Sequence, residues 1–271
     1  MTTVTSADGV TIGYTEQGTG TPVVLLPGSA VDHTIFVPGG QIDALAQHFR
    51  VIALDWRGTG ESTRDEDPYT AEDLEADVLG VLDALDIGTA HLVGMSQGST
   101  IAQRIAAHHP DRVERVVLYS TWGHTDAYLQ GMFTFWEHLY RTAEPQVYGE
   151  ATLWFLLSRE FHNADPAAVE AIAKASFASG TAATRHAQIQ AARINAVHDN
   201  RDLLATITAP TLVVAGDEDR TIPVEYSAQV ARAIPGADIQ VLEGPGASHA
   251  LFLERADEVN DATVAFLRAD N

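Results

Sequence analysis

The stretch Leu92-Val93-Gly94-Met95-Ser96-Gln97-Gly98-Ser99-Thr100 sets one serine between two glycines, and its surroundings decide the fold. Ahead of it, "AHLVGM" is an apolar run of the kind expected for a strand buried on both faces. Behind it, "QGSTIAQRIAAHH" carries Ile101, Ala102, Ile105 and Ala106 at helical spacing and stops before Pro110. Ser96 thus falls where a buried strand turns sharply into a helix. Flanking glycines relieve crowding in such a turn, and a helix N-terminus offers backbone N–H groups to a developing negative charge. A serine hydroxyl is a poor nucleophile until a base activates it, so the rest of the chain must supply a base, an acid and an anion hole.

Outward from Ser96 the same rhythm recurs. "TPVVLLPG" and "FRVIALDWRGTGES" each read as a buried strand that opens into a glycine-containing loop. Between them and Ser96, Thr70-x-x-Asp73 resembles a capping box, and Leu74, Val78, Val81, Leu82 and Leu85 share one helical face, with Gly88 as the expected stop. "VERVVLYS", "APTLVVAG" and "ADIQVLEG" read as further strands, with helices over Val224–Ile234 and Ala250–Arg268. At the N-terminus, alternation around Asp8-Gly9 reads as a hairpin. Strands alternating with helices imply an α/β fold with a mostly parallel twisted sheet. The rhythm breaks between Thr121 and Thr208, a helix-prone stretch rich in aromatics: Trp122, Phe133, Phe135, Trp136, Trp154, Phe155, Phe161 and Phe177. It reads as a helical cap, residues 121–208, inserted into a core made of residues 1–120 and 209–271. A few of its aromatics, with Trp122, Phe133, Trp136 and Trp154 as candidates, are expected to face a substrate cleft.

The acid is expected beyond a later strand, where "LVVAGDEDRTIP" presents Asp217, Glu218 and Asp219; Asp219 is the choice and Asp217 the alternative. The base is expected in a loop between the last strand and the last helix, where "EGPGASHALFLE" places His249. Ser96, Asp219, His249 is one of the chain orders this chemistry uses. An oxyanion hole needs two donors aimed at one point: the backbone N–H of Gln97, and that of Ser29 in the loop after "VVLLPG".

Composition sets the outer limits. The 271 residues are 45% apolar and 20% charged, which suits a globular protein with a full core. A formal charge of −21 argues against nucleic acid and anionic membrane surfaces as partners. Without cysteine there are no disulfides and no thiolate chemistry. No run reaches the ~20 apolar residues that span a bilayer, and no signal peptide is visible, so a cytoplasmic location is expected. Gly58-Thr59-Gly60 lacks the rest of a dinucleotide fingerprint, and no P-loop, HExxH or EF-hand spacing occurs. His108 and His109, adjacent on a helix, are expected to point apart.

Taken together, "LLPG", "LDWRGTGES", "GMSQGS", "APTLVVAGDEDRTIP" and "GASHALFLERADEV" resemble the α/β-hydrolase superfamily over nearly the full chain. The resemblance implies Ser96 as nucleophile, Asp219 as acid, His249 as general base, Ser29 and Gln97 as oxyanion donors, and no metal or organic cofactor. Many relatives carry His-Gly where this chain has Pro27-Gly28; backbone donation survives that change. Serine at position 96 separates the chain from the haloalkane dehalogenases and epoxide hydrolases, which use aspartate there. Its short form is most similar to bacterial esterases and enol-lactonases. The expected reaction is hydrolysis of an ester or lactone of a small, largely apolar molecule. Two alternatives stand beside it: C–C cleavage or cofactor-free haloperoxidase chemistry on the same triad, and a ligand-binding protein that does not turn its ligand over. The oligomeric state is left open, a homodimer included.

Overall fold

The computed structural model describes residues 2–5, 9–64, 67–174 and 185–269. Asp8 and Phe177, named above, lie outside them. Among the described residues, eight strands form one sheet in the order β1-β2-β4-β3-β5-β6-β7-β8. β1 (Thr2–Thr5) and β2 (Thr11–Gln17) pair antiparallel, as the alternation around Gly9 anticipates, and β2 runs antiparallel to β4 (Arg50–Leu54). From β4 onward, β3 (Pro22–Leu26), β5 (Ala90–Met95), β6 (Val113–Tyr119), β7 (Thr211–Gly216) and β8 (Asp238–Leu242) are all parallel.

The apolar runs are buried on both faces because each strand sends alternate side chains to opposite layers. Val24, Leu26, Ile52, Leu54 and Leu92 meet helices α2 (Ala71–Ala84), α3 (Gln97–His108) and α10 (Val224–Ala233). Val23, Leu25, Val51, Ala53 and Val93 meet the other layer, formed by α1 (Gln41–Ala46), α11 (Leu251–Glu254) and α12 (Ala256–Arg268). The Thr70–Asp73 capping box is complete at the start of α2. Its end differs from expectation: Asp86, at φ 53°, takes the left-handed position, so Gly88 is not the stop. An aspartate tolerates that conformation better than most residues, being short and polar. The closing helix is likewise split at Arg255 into α11 and α12.

Between β6 and β7 the chain inserts α4 (Ala127–Thr142), α5 (Pro145–Leu156), α6 (Arg159–Ala164), α7 (Pro166–Ala173), α8 (Arg185–Ala196) and α9 (Arg201–Leu204). Trp122, Leu129, Phe133, Trp136, Tyr140 and Tyr148 pack together in a separate apolar cluster with Ile222. In the sheet, β3 lies between β4 and β5, so the chain leaves its two edges in opposite directions. That reversal opens a crevice at the carboxyl ends of the strands, where ligands of open α/β sheets bind.

Candidate active site

Ser96 occupies that crevice in a conformation few residues adopt, φ 50° and ψ −121°. Backbone strain of this kind persists only where the surroundings over-determine it. Here they do. The Ser96 N–H donates to the Tyr119 carbonyl at 2.9 Å, and the Ser96 carbonyl accepts from the Ser99 N–H at 2.8 Å. The two glycines permit contacts that no side chain would: a Cβ on Gly94 would lie 2.4 Å from the Gly98 carbonyl oxygen, and one on Gly98 would lie 2.2 Å from that of Leu26. Helix and strands thus close on each other behind Ser96.

Asp219 and His249 come together from two loops. His249 Nδ1 lies 2.8 Å from Asp219 Oδ2, and both side chains are buried. The other carboxylate oxygen, Oδ1, accepts from the Thr221 and Ile222 N–H groups at 2.9 and 2.8 Å, which fixes the carboxylate plane. The alternative acid is engaged elsewhere: Asp217 accepts from the Gly244 N–H at 3.0 Å and so ties the two loops together. Gly216 allows the same loops to approach, since a Cβ there would sit 2.0 Å from the Ala247 carbonyl.

Ser96 and His249 face one narrow cavity of about 70 Å³, together with Ser29, Ala30, Val31, Ile35, Met95, Trp136, Tyr140, Leu156 and Gln188. His249 is the one histidine on that wall, and no Asp, Glu, Lys or Arg lines it among the described residues. Burial holds the Tyr140 hydroxyl up to about 12, so it offers a hydrogen bond rather than an exchangeable proton. Of the two expected oxyanion donors, Ser29 lines the cavity directly. Gln97 opens α3 next to Ser96, in the first turn, where a backbone N–H has no intrahelical acceptor.

The "LDWRGTGES" segment braces the Ser29 loop. Trp56 Nε1 donates to the Pro27 carbonyl at 2.8 Å, and buried Asp55 accepts from His33 N–H at 3.0 Å and from the His33 ring at 2.6 Å. Burial alone would raise the Asp55 carboxyl. Hydrogen bonds from His33 and the Glu61 N–H outweigh it and hold the carboxyl below its ordinary value. Asp32, His33 and Asp55 are close enough together to hold a metal ion. Their ligand atoms are already engaged: Asp55 with His33 and Glu61, and Asp32 with the Thr34 N–H and hydroxyl.

Of the four aromatics expected at the cleft, the structure brings Trp136 to the cavity wall and leaves three elsewhere. Trp122 and Phe133 stack on each other, with ring centroids 5.6 Å apart, inside the insertion's own cluster. Trp154 is 55% exposed on the outer surface, with the Arg220 guanidinium over its ring. Phe133 and Trp136 stand on α4 and Trp154 on α5, while Trp122 precedes the helices, between β6 and α4, distinctions that composition does not register. His108 and His109 also depart from expectation and converge on Glu75, at 2.8 and 3.4 Å. His109 has left helical geometry (φ −132°, ψ 58°), so the angular spacing of helix neighbours does not apply to it.

A family model described as the alpha/beta hydrolase fold matches residues 21–256. The chain belongs to the α/β-hydrolase family. A candidate carbamate hydrolase, RutD of Caulobacter vibrioides, is 31% identical over 84% of this chain and 83% of its own. The 2-hydroxymuconate semialdehyde hydrolase of Pseudomonas putida is 31% identical over 83% and 80%. Among solved structures, the enol-lactonase of Burkholderia xenovorans LB400 superposes with a TM-score of 0.89 at 27% identity, covering 99% of this chain and 100% of its own. This α/β-hydrolase is a hydrolytic enzyme that acts on a small molecule. None of its described helices is long and apolar enough to cross a membrane.

Proposed function

We propose that this α/β-hydrolase cleaves a carboxylic ester or lactone of a small, largely uncharged molecule, with Ser96, His249 and Asp219 as its triad and residues 121–208 as its cap. One observation carries the reading: the strained Ser96 and the Asp219-paired His249 face the same narrow, mostly apolar cavity.

Ser96 Oγ attacks the carbonyl carbon while its proton passes to His249 Nε2. Asp219, bonded to Nδ1, holds the ring in the tautomer whose Nε2 can accept, and stabilises the imidazolium that forms. The carbonyl π electrons move to oxygen, where the Ser29 and Gln97 N–H groups receive them. The carbon–oxygen bond to the alcohol then breaks, and His249 returns its proton to the leaving oxygen; in a lactone that oxygen stays tethered. Water adds to the acyl-enzyme by the same route, giving the carboxylic acid and regenerating Ser96. No metal enters these steps.

The lining supports a neutral acyl group. An anionic substrate would want a fixed cation, and none lines the cavity among the described residues. This counts against dianionic C–C cleavage substrates more than against simple esters. Hydrolysis of graded p-nitrophenyl esters and small lactones, wild type beside Ser96→Ala, tests the proposal. Turnover of short neutral substrates that falls by ~10⁴ or more in the variant is expected. Turnover that survives Ser96→Ala, or none in wild type, overturns it.

A further inference from the structure

The insertion does more than roof the cavity with apolar side chains. Asn195, in the last turn of α8, is 1% exposed and reaches into the core with its amide. Its Nδ2 donates to Ser29 Oγ at 2.8 Å, and its Oδ1 accepts from Gln97 Nε2 at 3.0 Å. Ser29 and Gln97 are the two residues whose backbone N–H groups were assigned to the oxyanion hole on independent grounds: the loop after β3, and the first turn of α3. One side chain from a different part of the chain bridges both.

Chemistry fixes the direction of the bridge. Gln97 Nε2 also faces the Ala191 carbonyl, at 3.4 Å, and only an NH2 group can meet a carbonyl favourably. Asn195 must then present its oxygen to Gln97, which leaves its NH2 for Ser29. Its own backbone is held too: the Asn195 carbonyl accepts from Thr125 Oγ1 at 2.6 Å, and the Trp122 indole donates to that same hydroxyl at 3.1 Å. The Thr125 N–H donates in turn to the His198 carbonyl at 2.8 Å. The bridge is therefore anchored at the base of the insertion, where the chain leaves β6 and returns toward β7.

We propose that Asn195 is a positioning residue for the oxyanion hole, setting the spacing between the Ser29 and Gln97 backbones so that both N–H groups converge on one oxygen. This rests on the serine-hydrolase reading above. Asn195 touches no reacting atom and acts through the two residues it joins. The loop after β3 and the start of α3 follow neighbouring strands, and the side-chain link across them adds to the strand pairing in setting the spacing of the two residues beyond the strand ends. Displacements near 1 Å in a positioned group typically cost about 10²-fold in rate. Loss of one oxyanion donor costs about 10²–10³-fold. Asn195→Ala, which loosens both donors without deleting either, is expected to lower kcat by about 10- to 100-fold, within those limits. KM should stay within about twofold, because the missing stabilisation belongs to the tetrahedral species rather than to bound ester.

The test compares wild type, Asn195→Ala, Ser29→Ala and the double variant. Two readouts are used: p-nitrophenyl butyrate turnover, and the rate at which a p-nitrophenyl alkylphosphonate labels Ser96, which passes through a similar anionic species and needs no knowledge of the natural substrate. Ser29→Ala removes one hydroxyl and keeps the backbone N–H, so it probes the bridge should Asn195→Ala fold poorly. The proposal expects both single variants to slow both readouts, with kcat and not KM carrying the loss. It also expects the double variant to lose much less than the product of the two single losses, since both break one bridge. A melting temperature that falls with both rates unchanged, multiplicative losses in the double variant, or a loss confined to KM would overturn it. Failure of wild-type Ser96 to react with the phosphonate would instead sink the serine-nucleophile reading, and the proposal with it. Equal labelling of wild type and variants sinks the proposal alone.

Discussion

The core and the insertion place their candidate functional side chains by different means. In the core, Ser96, Asp219, His249 and the Ser29 loop all sit just past strand ends. Backbone contacts tight enough to require glycine, at Gly94, Gly98 and Gly216, fix them there. In the insertion, position depends on which face of a helix a residue occupies and on side-chain packing. Trp136 and Phe133 stand three residues apart on α4, both buried, yet one lines the cavity and the other stacks on Trp122. Site chemistry written into strand ends survives without knowledge of the tertiary packing. Site shape written into helix faces does not.

The largest expected effect sharpens the core side of this comparison. Asp219→Asn leaves the shape of the site intact but can hold His249 in the wrong tautomer, and should cost about 10⁴-fold in kcat. Asp217→Asn, two residues away, keeps an amide oxygen that can accept from the Gly244 N–H and should stay within about tenfold of wild type. Steady-state kinetics on one short ester decides the matter. A reversed ranking would mean that the loop pairing in solution differs from the one described.

A second contrast concerns two histidines. His33, in the core loop, is held above its ordinary value by the hydrogen bond to Asp55. Its contribution to stability is complete below the unfolded value near 6.5 and is lost as pH rises through the folded one. His198, at the base of the insertion, is pushed by burial down to about 4, although its ring donates to the Trp122 carbonyl. Between pH 6.5 and 4 the unfolded chain binds a proton at His198 that the folded chain refuses. Stability is therefore full above 6.5 and falls on acidification, by about 3 kcal/mol at most. His198→Asn keeps a donor but does not titrate. Chemical denaturation across pH 4–7 should show a shallower acid-side decline in that variant than in wild type. Parallel declines would place the proton elsewhere.

These contrasts explain what could be read from the sequence. The α/β architecture, the strand–serine–helix turn and the Ser96, Asp219, His249 order follow from apolar runs and glycine spacing, because a buried strand end has few ways to continue. Sequence favours Asp219 but leaves Asp217 as an alternative in the same loop; the geometry pairs Asp219 with His249 and Asp217 with the Gly244 N–H. Asn195 and Gln188 were invisible to motif reasoning, yet a signal exists. They stand seven residues apart on α8, two turns of one face, with Ala191 and Ala192 between them. Polar residues at both ends of an otherwise small and apolar face suggest a stripe that is buried for a purpose other than packing.

Aromatic content misleads for the opposite reason. Trp122 and Trp154 satisfy the same composition count, one as core and one as surface. A test on the insertion is Trp136→Ala beside Trp154→Ala. The first enlarges the cavity and should shift the preferred acyl chain toward longer p-nitrophenyl esters, changing the ratio of kcat/KM for long over short chains by about tenfold. The second, under the Arg220 guanidinium, should leave that ratio unchanged. An equal shift in both would mean that the outer face of α5 also contacts substrate.

The smallest expected effect falls on Gln188. It lines the cavity, is almost fully buried, and its Oε1 has no hydrogen-bond partner among the described residues. An orphaned buried acceptor costs about 1–3 kcal/mol relative to an apolar group of the same shape. A folded protein that needed only an apolar roof would gain by losing it. Gln188→Leu should therefore raise the melting temperature, corresponding to about 1 kcal/mol, and leave turnover of purely apolar esters unchanged or faster. Asn195, seven residues on, is equally buried but has both ends of its amide paired, so its replacement should destabilise the protein. Opposite signs for two buried amides on one helix face would separate a polar group that holds the site together from one left free inside it. A fall in melting temperature with Gln188→Leu would show that its amide is paired in solution and would erase that distinction.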